Sequence, residues 1–176
     1  MKLLLDQSLT HKLPDTLGLL VVRADSHDVP PALHHALSPT QAGLTYLAQA
    51  LINAACRNDY SASFYRTDML AAQLAVLQPD NPTRLRFIEQ LHNVDVFVLD
   101  DFLTTPIDAA TAHQIFDILA AREHASSTIV TSQFTPKDWY ASIPDAVIAE
   151  SILNRLVVGA EIITLESPNM RLEANQ

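Results

Sequence analysis

The sequence predicts an α/β fold: a parallel sheet with helices on both faces, three layers in all. Three observations carry the prediction. Short apolar runs rich in Val, Ile and Phe, too brief for helices, recur at residues 94–99, 127–131 and 161–165. The segments between them space their apolar residues by three and four. The two kinds of segment alternate, the pattern of strands joined by crossover helices. A run that is apolar throughout is buried on both faces, as a parallel strand covered by helices must be.

The bulk numbers narrow the class. With 176 residues and 48% hydrophobic content, the chain suits one compact domain with a real core. A single cysteine, Cys56, offers neither a disulfide nor a thiolate metal cluster, which fits a reducing compartment. No apolar run has membrane-spanning length. The opening Met1-Lys2-Leu3-Leu4-Leu5 is cut short by Asp6 and lacks the core of a signal peptide, so a cytoplasmic protein with no membrane partner is expected. Twenty acidic against 11 basic residues, a net charge of −9, exclude a whole-surface affinity for nucleic acid and leave room only for a local basic patch.

Residues 1–37 read as an atypical N-terminal segment. Leu17 to Val22 is strand-like, but Leu13-Pro14-Asp15-Thr16 and Val29-Pro30-Pro31 surround it with turn signals. His34-His35 reads as ordinary loop histidine, because adjacent residues on a regular element point apart and no third ligand stands nearby.

From Ser38 the pattern is regular. Leu44, Leu47, Ala48, Leu51, Ile52 and Ala55 form one buried stripe of a helix that ends near Arg57-Asn58-Asp59. A strand over 62–67 and a helix over 68–77 follow, closed by Pro79-Asp80-Asn81-Pro82. Thr83 is expected to cap a third helix with Leu85, Ile88 and Leu91 on one side. The strand from Val94 ends in Asp100-Asp101-Phe102. Asp108 suits the N-cap of a helix reaching about Glu123, with Ile115, Phe116 and Leu119 inward. The strand over 127–131 runs into Ser132-Gln133. Thr135-Pro136 pairs a cap with a proline at the first helical position and opens a short helix containing Trp139. A helix over 147–157 and a strand over 161–165 complete the regular part, and 171–176 reads as a tail.

The chemistry concentrates at Asp100 and Asp101. An acid at the carboxyl end of a parallel strand faces the crevice where α/β proteins bind ligands. There one carboxylate can hold Mg²⁺ while its neighbour polarises a nucleophile; alternatively the two merely start a turn. An acid-ended strand and a polar-ended strand, with a loop-to-helix segment about 55 residues upstream, form the arrangement of a P-loop nucleotide-binding domain.

Five stretches carry a closer resemblance: Thr45-Tyr46-Leu47-Ala48-Gln49-Ala50-Leu51, Phe64-Tyr65-Arg66, Val98-Leu99-Asp100-Asp101-Phe102, Thr128-Ile129-Val130-Thr131-Ser132-Gln133 and Ile152-Leu153-Asn154-Arg155-Leu156-Val157. In order and spacing the chain resembles the IstB-like and DnaC-like branch of the AAA+ ATPases, over about residues 38–170. The resemblance implies a P-loop NTPase (AAA+/RecA-like) core and a helper in DNA transposition or helicase loading. ATP and Mg²⁺ are the implied cofactors. DNA, a transposase or replicative helicase, and further copies of the chain are the implied partners. Position by position, Asp100 matches the Walker B metal carboxylate, with Thr45 beside it on the metal, and Asp101 the carboxylate that orients the attacking water. Gln133 matches the sensor after the strand, though it reads equally as a strand cap. Arg155 matches the arginine offered to a neighbouring subunit's phosphoryl group, though it reads equally as an ion-pair partner of Glu150 or Asp145.

The phosphate loop departs from the family pattern G-x-x-x-x-G-K-T/S. Ser38 stands for the first glycine, Gln41 for an additional mid-loop glycine and Leu44 for the lysine, while Gly43 and Thr45 are kept. The lysine's charge-assisted contact is worth about 1.5–3 kcal/mol. Left-handed backbone costs a non-glycine residue about 1–2 kcal/mol. Together these imply a loss of roughly a thousandfold in phosphate affinity. The strand that normally enters this loop is also displaced, since Val29-Pro30-Pro31 is poor central-strand material and Leu17 to Val22 is the remaining candidate for the slot. The expectation is an IstB/DnaC-like ATP-binding domain with a degenerate Walker A motif, an atypical or truncated N-terminus and doubtful hydrolysis. The alternative is a catalytically dead P-loop-fold interaction module.

Overall fold

A computed structural model of the chain describes residues 17–23, 44–78 and 80–166. Expectations for Ser38, Gly43, His34, His35 and the tail fall outside those residues. In chain order the elements are β1 (Leu17–Arg23), α1 (Leu44–Arg57), β2 (Ala62–Arg66), α2 (Thr67–Val76), α3 (Pro82–Asn93), β3 (Val96–Asp100), α4 (Ala109–Arg122), β4 (Ser127–Ser132), α5 (Pro136–Ser142), α6 (Ala146–Val157) and β5 (Glu161–Glu166).

The five strands form one sheet in the order β2-β3-β4-β1-β5. β2, β3 and β4 are parallel, as expected. β1 takes the slot between β4 and β5 that the sequence left for Leu17 to Val22, but it runs antiparallel to both neighbours. Its last residue, Arg23, pairs with Thr128 near the start of β4. β1 therefore ends at the edge of the sheet opposite Asp100, and the parallel-sheet expectation is corrected at this strand.

Alternation along the strands builds the three layers. Val98 and Ile129 face Leu47, Ala48 and Leu51 of α1. Phe97, Leu99 and Val130 face the other way, into a larger core that gathers Leu70, Phe87, Ile115, Ile118, Trp139 and Ile152 from α2 to α6. Among the described residues, α1 is the one helix on its face of the sheet.

Local rules fix the helix starts. Asp108 caps α4 by accepting from Thr111 N–H at 2.7 Å. Thr135 and Asp138 form a reciprocal capping box at α5. The α3 expectation is corrected in two respects. Asn81, not Thr83, is the cap, accepting from Thr83 N–H, and Pro82 takes the first helical position. The buried face is Arg84, Phe87 and Leu91, and Leu85 is 55% exposed. Phe87 decides the phase, since its ring packs edge-on to Tyr65.

Arg122, only 1% exposed, ties the edge of the sheet away from Asp100 together. Its guanidinium donates to the carbonyls of Leu91 (2.7 Å), Val94 (2.8 Å) and Ser127, and to Thr128 Oγ1 (3.2 Å). Burial pulls its pKa down to about 10.

Candidate functional site

The site assembles at the carboxyl ends of β3 and β4. Leu99 pairs with Val130, so Asp100 and Thr131 follow side by side. The parity that turns Val98 and Ile129 towards α1 turns Asp100 and Thr131 the same way. α1 presents its first turn there: Thr45 Oγ1 lies 3.1 Å from each oxygen of the Asp100 carboxylate. Residues 55 positions apart in the chain thus meet at one end of the sheet.

Asp100 is 1% exposed, and its polar partners are all hydroxyls or backbone. Thr131 Oγ1 donates to Oδ1, and Thr67 Oγ1 donates to the Asp100 carbonyl at 3.2 Å. Donor accounting sets the directions. Thr131 Oγ1 accepts from the Asp101 N–H at 3.1 Å, a group that can only donate, so its own proton goes to Asp100. Thr45 likewise commits its single proton to Asp100, which leaves its lone pairs free to face a cation.

Asp101 begins a turn with φ of +53°, and Leu103 has φ of +54°. Each left-handed non-glycine costs about 1–2 kcal/mol, less for aspartate, whose short side chain tolerates the region. The turn is held from β4: besides the Asp101 N–H bond, Phe102 N–H donates to the Thr131 carbonyl at 2.8 Å. The Asp101 carboxylate lies 3.7 Å from Arg66 Nε, and Arg66 also pairs with Asp68 at 3.0 Å. Arg66 is the register partner of Asp100 at the end of β2, so strand pairing brings this cation to the acids.

Ser132 joins the turn to the segment beyond β4. Its Oγ donates to the Phe102 carbonyl at 2.8 Å and accepts from Trp139 Nε1 at 3.0 Å and Phe134 N–H at 3.1 Å. Gln133, the sensor candidate, stands exposed between Ser132 and Phe134, one residue past β4. Arg155 lies elsewhere, on α6. Its Nε pairs with Glu123 at 3.0 Å, its guanidinium sits 4.7 Å from the centre of the Phe116 ring, and a terminal nitrogen donates to the Ser151 carbonyl. The pairing with Glu123 joins α6 to the end of α4.

Leu44, in the lysine position, is half-buried and packs against the α1-face core of Leu47, Leu51, Val98 and Ile129. Position 44, matched in sequence to the family's lysine, thus presents a hydrocarbon. The metal side of the site is better provided. Carboxylate and hydroxyl oxygens suit a hard cation such as Mg²⁺. Among the described residues no group of three or more His, Cys, Asp or Glu could hold a metal ion, so an ion here would complete its shell with water and ligand oxygens. Sequence reasoning gave no role to Thr131 and Thr67. Strand parity beside an acid-ended strand is the signal that points to Thr131.

The three-layer arrangement, with a threonine at a helix start meeting an acid at a strand end, is a P-loop-like α/β fold with a polar site at the carboxyl ends of its parallel strands. Residues 35–176 match the family described as IstB-like ATP binding protein, and the chain belongs to that family. The insertion-sequence ATP-binding protein y4uH of Sinorhizobium fredii is 34% identical over 135 residues, 77% of this chain and 54% of that protein. The chain spans about half the length of the curated relatives it matches. Among solved structures, the DnaC helicase loader superposes with a TM-score of 0.53 at 22% identity, covering 64% of this chain and 68% of that one. The replication initiator DnaA, bound to AMPPCP and single-stranded DNA, gives 0.53 at 23%, covering 62% and 34%. At these identities the two structures speak for the fold. No helix among the described residues is long and apolar enough to cross a membrane.

Proposed function

We propose that this chain is a nucleotide-responsive helper domain of DNA transposition, or of helicase loading, in which a Mg²⁺–ATP complex binds weakly at the carboxyl ends of β3 and β4. Its ATPase-like core is residues 38–170, with 1–37 an atypical N-terminal segment that lends β1 to the core sheet and 171–176 a tail. The observation that supports this most is the pair of 3.1 Å contacts between Thr45 Oγ1 and the Asp100 carboxylate. Asp100 and Thr45 hold the metal, Asp101 orients water, Gln133 reports on the terminal phosphate, and Arg155 serves a neighbouring copy once released from Glu123. Ser38, Gly43 and the amides opening α1 supply what remains of the phosphate cradle. Bound Mg²⁺ would contribute charge neutralisation at the phosphates. Turnover is slow or absent because Leu44 offers no charge there. DNA and a transposase or helicase are the partners, by kinship with the insertion-sequence ATP-binding proteins.

The test is calorimetric titration of the full chain with ATP in Mg²⁺. A thousandfold loss from ordinary micromolar affinity predicts a Kd of about a millimolar, lost in Asp100→Asn. Absence of binding at several millimolar ATP refutes the nucleotide reading. It leaves the second reading, a nucleotide-free interaction module, which the packing of Leu44 into the core favours. Gel retardation of DNA at low and high salt tests the nucleic-acid partner, since phosphate contacts weaken as salt rises.

A further inference from the structure

The β4 residue Thr131 is 1% exposed, and every hydrogen-bonding group it carries towards β3 is used there. Its hydroxyl donates to Asp100 Oδ1 and accepts from the Asp101 N–H at 3.1 Å, and its carbonyl accepts from the Phe102 N–H at 2.8 Å. We propose that Thr131 is the positioning residue of this site, fixing through one hydroxyl both the orientation of the Asp100 carboxylate, which it holds at Oδ1, and the backbone from which Asp101 projects. The proposal rests on the nucleotide reading above and deepens it.

The physical reasoning is directional. A hydroxyl has one proton, and the Asp101 amide spends its own on the hydroxyl oxygen, so the Thr131 proton is available only to Asp100. With Oδ1 anchored in this way, Asp100 is left with Oδ2 and the Thr45 contact facing the crevice, the arrangement a single-carboxylate Mg²⁺ site uses. The same bond supports Asp101 in its left-handed conformation, φ +53°, so the direction of the second carboxylate depends on it. Hydroxyl partners of this kind orient metal-ligating carboxylates, and their removal costs about 10–100-fold in metal affinity. Valine has threonine's shape without the hydrogen bonds, and serine has the hydrogen bonds without the methyl.

The experiment compares the natural chain with Thr131→Val and Thr131→Ser by two measurements. The first is the ratio of ATP affinities in Mg²⁺ and in EDTA, from calorimetry, with the Leu44→Lys background used as well. The expected result is a ratio reduced about tenfold or more in Thr131→Val, unchanged affinity in EDTA, and a natural ratio in Thr131→Ser. The second is hydrogen exchange of the Asp101 amide by NMR, expected to be slow in the natural chain and Thr131→Ser and fast in Thr131→Val. An unchanged Mg²⁺ ratio in Thr131→Val overturns the proposal. So does an equal loss with and without Mg²⁺, which marks a general structural defect, and so does unaltered Asp101 exchange. If neither the natural chain nor Leu44→Lys binds ATP, the nucleotide reading fails, and the Asp101 amide alone decides whether Thr131 holds the turn.

Discussion

Leu44→Lys places the missing cation where the family pattern has it, and the structure sets both its benefit and its cost. Fully burying a leucine is worth about 1.5–3 kcal/mol. Leu44 is half-buried, so its removal forfeits about half of that, and the lysine stem covers part of the same surface while its ammonium reaches solvent. The net destabilisation is about 1 kcal/mol or less, a Tm decrease of about 2–4 °C for a chain of this size. The benefit is one charge-assisted contact to phosphate, about 1.5–3 kcal/mol, which is about 10–150-fold in affinity at 1.4 kcal/mol per decade. Calorimetry with Mg²⁺-ATP, with AMP as control and a thermal melt of the same sample, reads both effects. A folded Leu44→Lys variant that binds ATP no better than the natural chain refutes the reasoning, because position 44 would then not face the phosphates at all. An equal gain for AMP refutes it too, since a gain without β and γ phosphates is not the expected contact.

Two further outcomes follow from buried and hydrogen-bonded groups. Arg122→Met keeps much of the side-chain volume but abandons the carbonyls of Leu91, Val94 and Ser127, each costing about 1–3 kcal/mol when left unsatisfied. Replacing a buried charge can stabilise when its partners are replaced as well; here the acceptors remain, so a loss of about 3 kcal/mol or more is expected in urea unfolding, and a neutral result contradicts it. Asp95 accepts from the hydroxyl of Ser61 at 2.7 Å and from its N–H at 2.8 Å, and these bonds hold its carboxyl below the usual aspartate range. A depressed carboxylate contributes stability that is fully present above its unfolded pKa and is lost as pH falls through the folded one. Unfolding measured from pH 6 down to pH 2.5 is therefore expected to show a loss beginning near pH 4 that is smaller in Asp95→Asn, and identical pH profiles would exclude the Ser61–Asp95 link.

What the sequence made legible divides along a physical line. Caps and strand ends are local: Asp108, Thr135-Pro136 and the termination of β3 at Asp100 follow from residue types within a few positions of one another. The phase of α3 is not local, because Leu85 and Phe87 are both large and apolar, and only the Tyr65 ring across the core selects the second. The meeting of Thr45 with Asp100 was legible through motif spacing, whereas Thr131 became visible only when parallel pairing of β3 and β4 set it beside the acid. Arg155 shows the limit of a motif. Its neighbours Ile152 and Leu156 fix the buried side of α6, but its partner Glu123 comes from the end of α4, where nothing in the Arg155 motif points.

The two departures from the family pattern fall on the same half of the site. The acids, the threonines that hold them and the turn after β3 are hydrogen-bonded to one another, and all of them rest on parallel pairing of β2, β3 and β4. The phosphate side depends instead on a chain that enters α1 directly from the strand beside β4. Here that strand, β1, points the other way and ends beside Thr128, while Leu44 turns into the core that α1 shares with Val98 and Ile129. A reversed strand contributes equally well to the sheet, since antiparallel pairing satisfies the same backbone groups. Folding therefore tolerates the reversal. Phosphate binding has no such tolerance, because a cradle of backbone amides needs one definite path of approach to the helix. Restoring the lysine can recover the contact of a single side chain, while the share that belongs to the loop depends on the direction of β1.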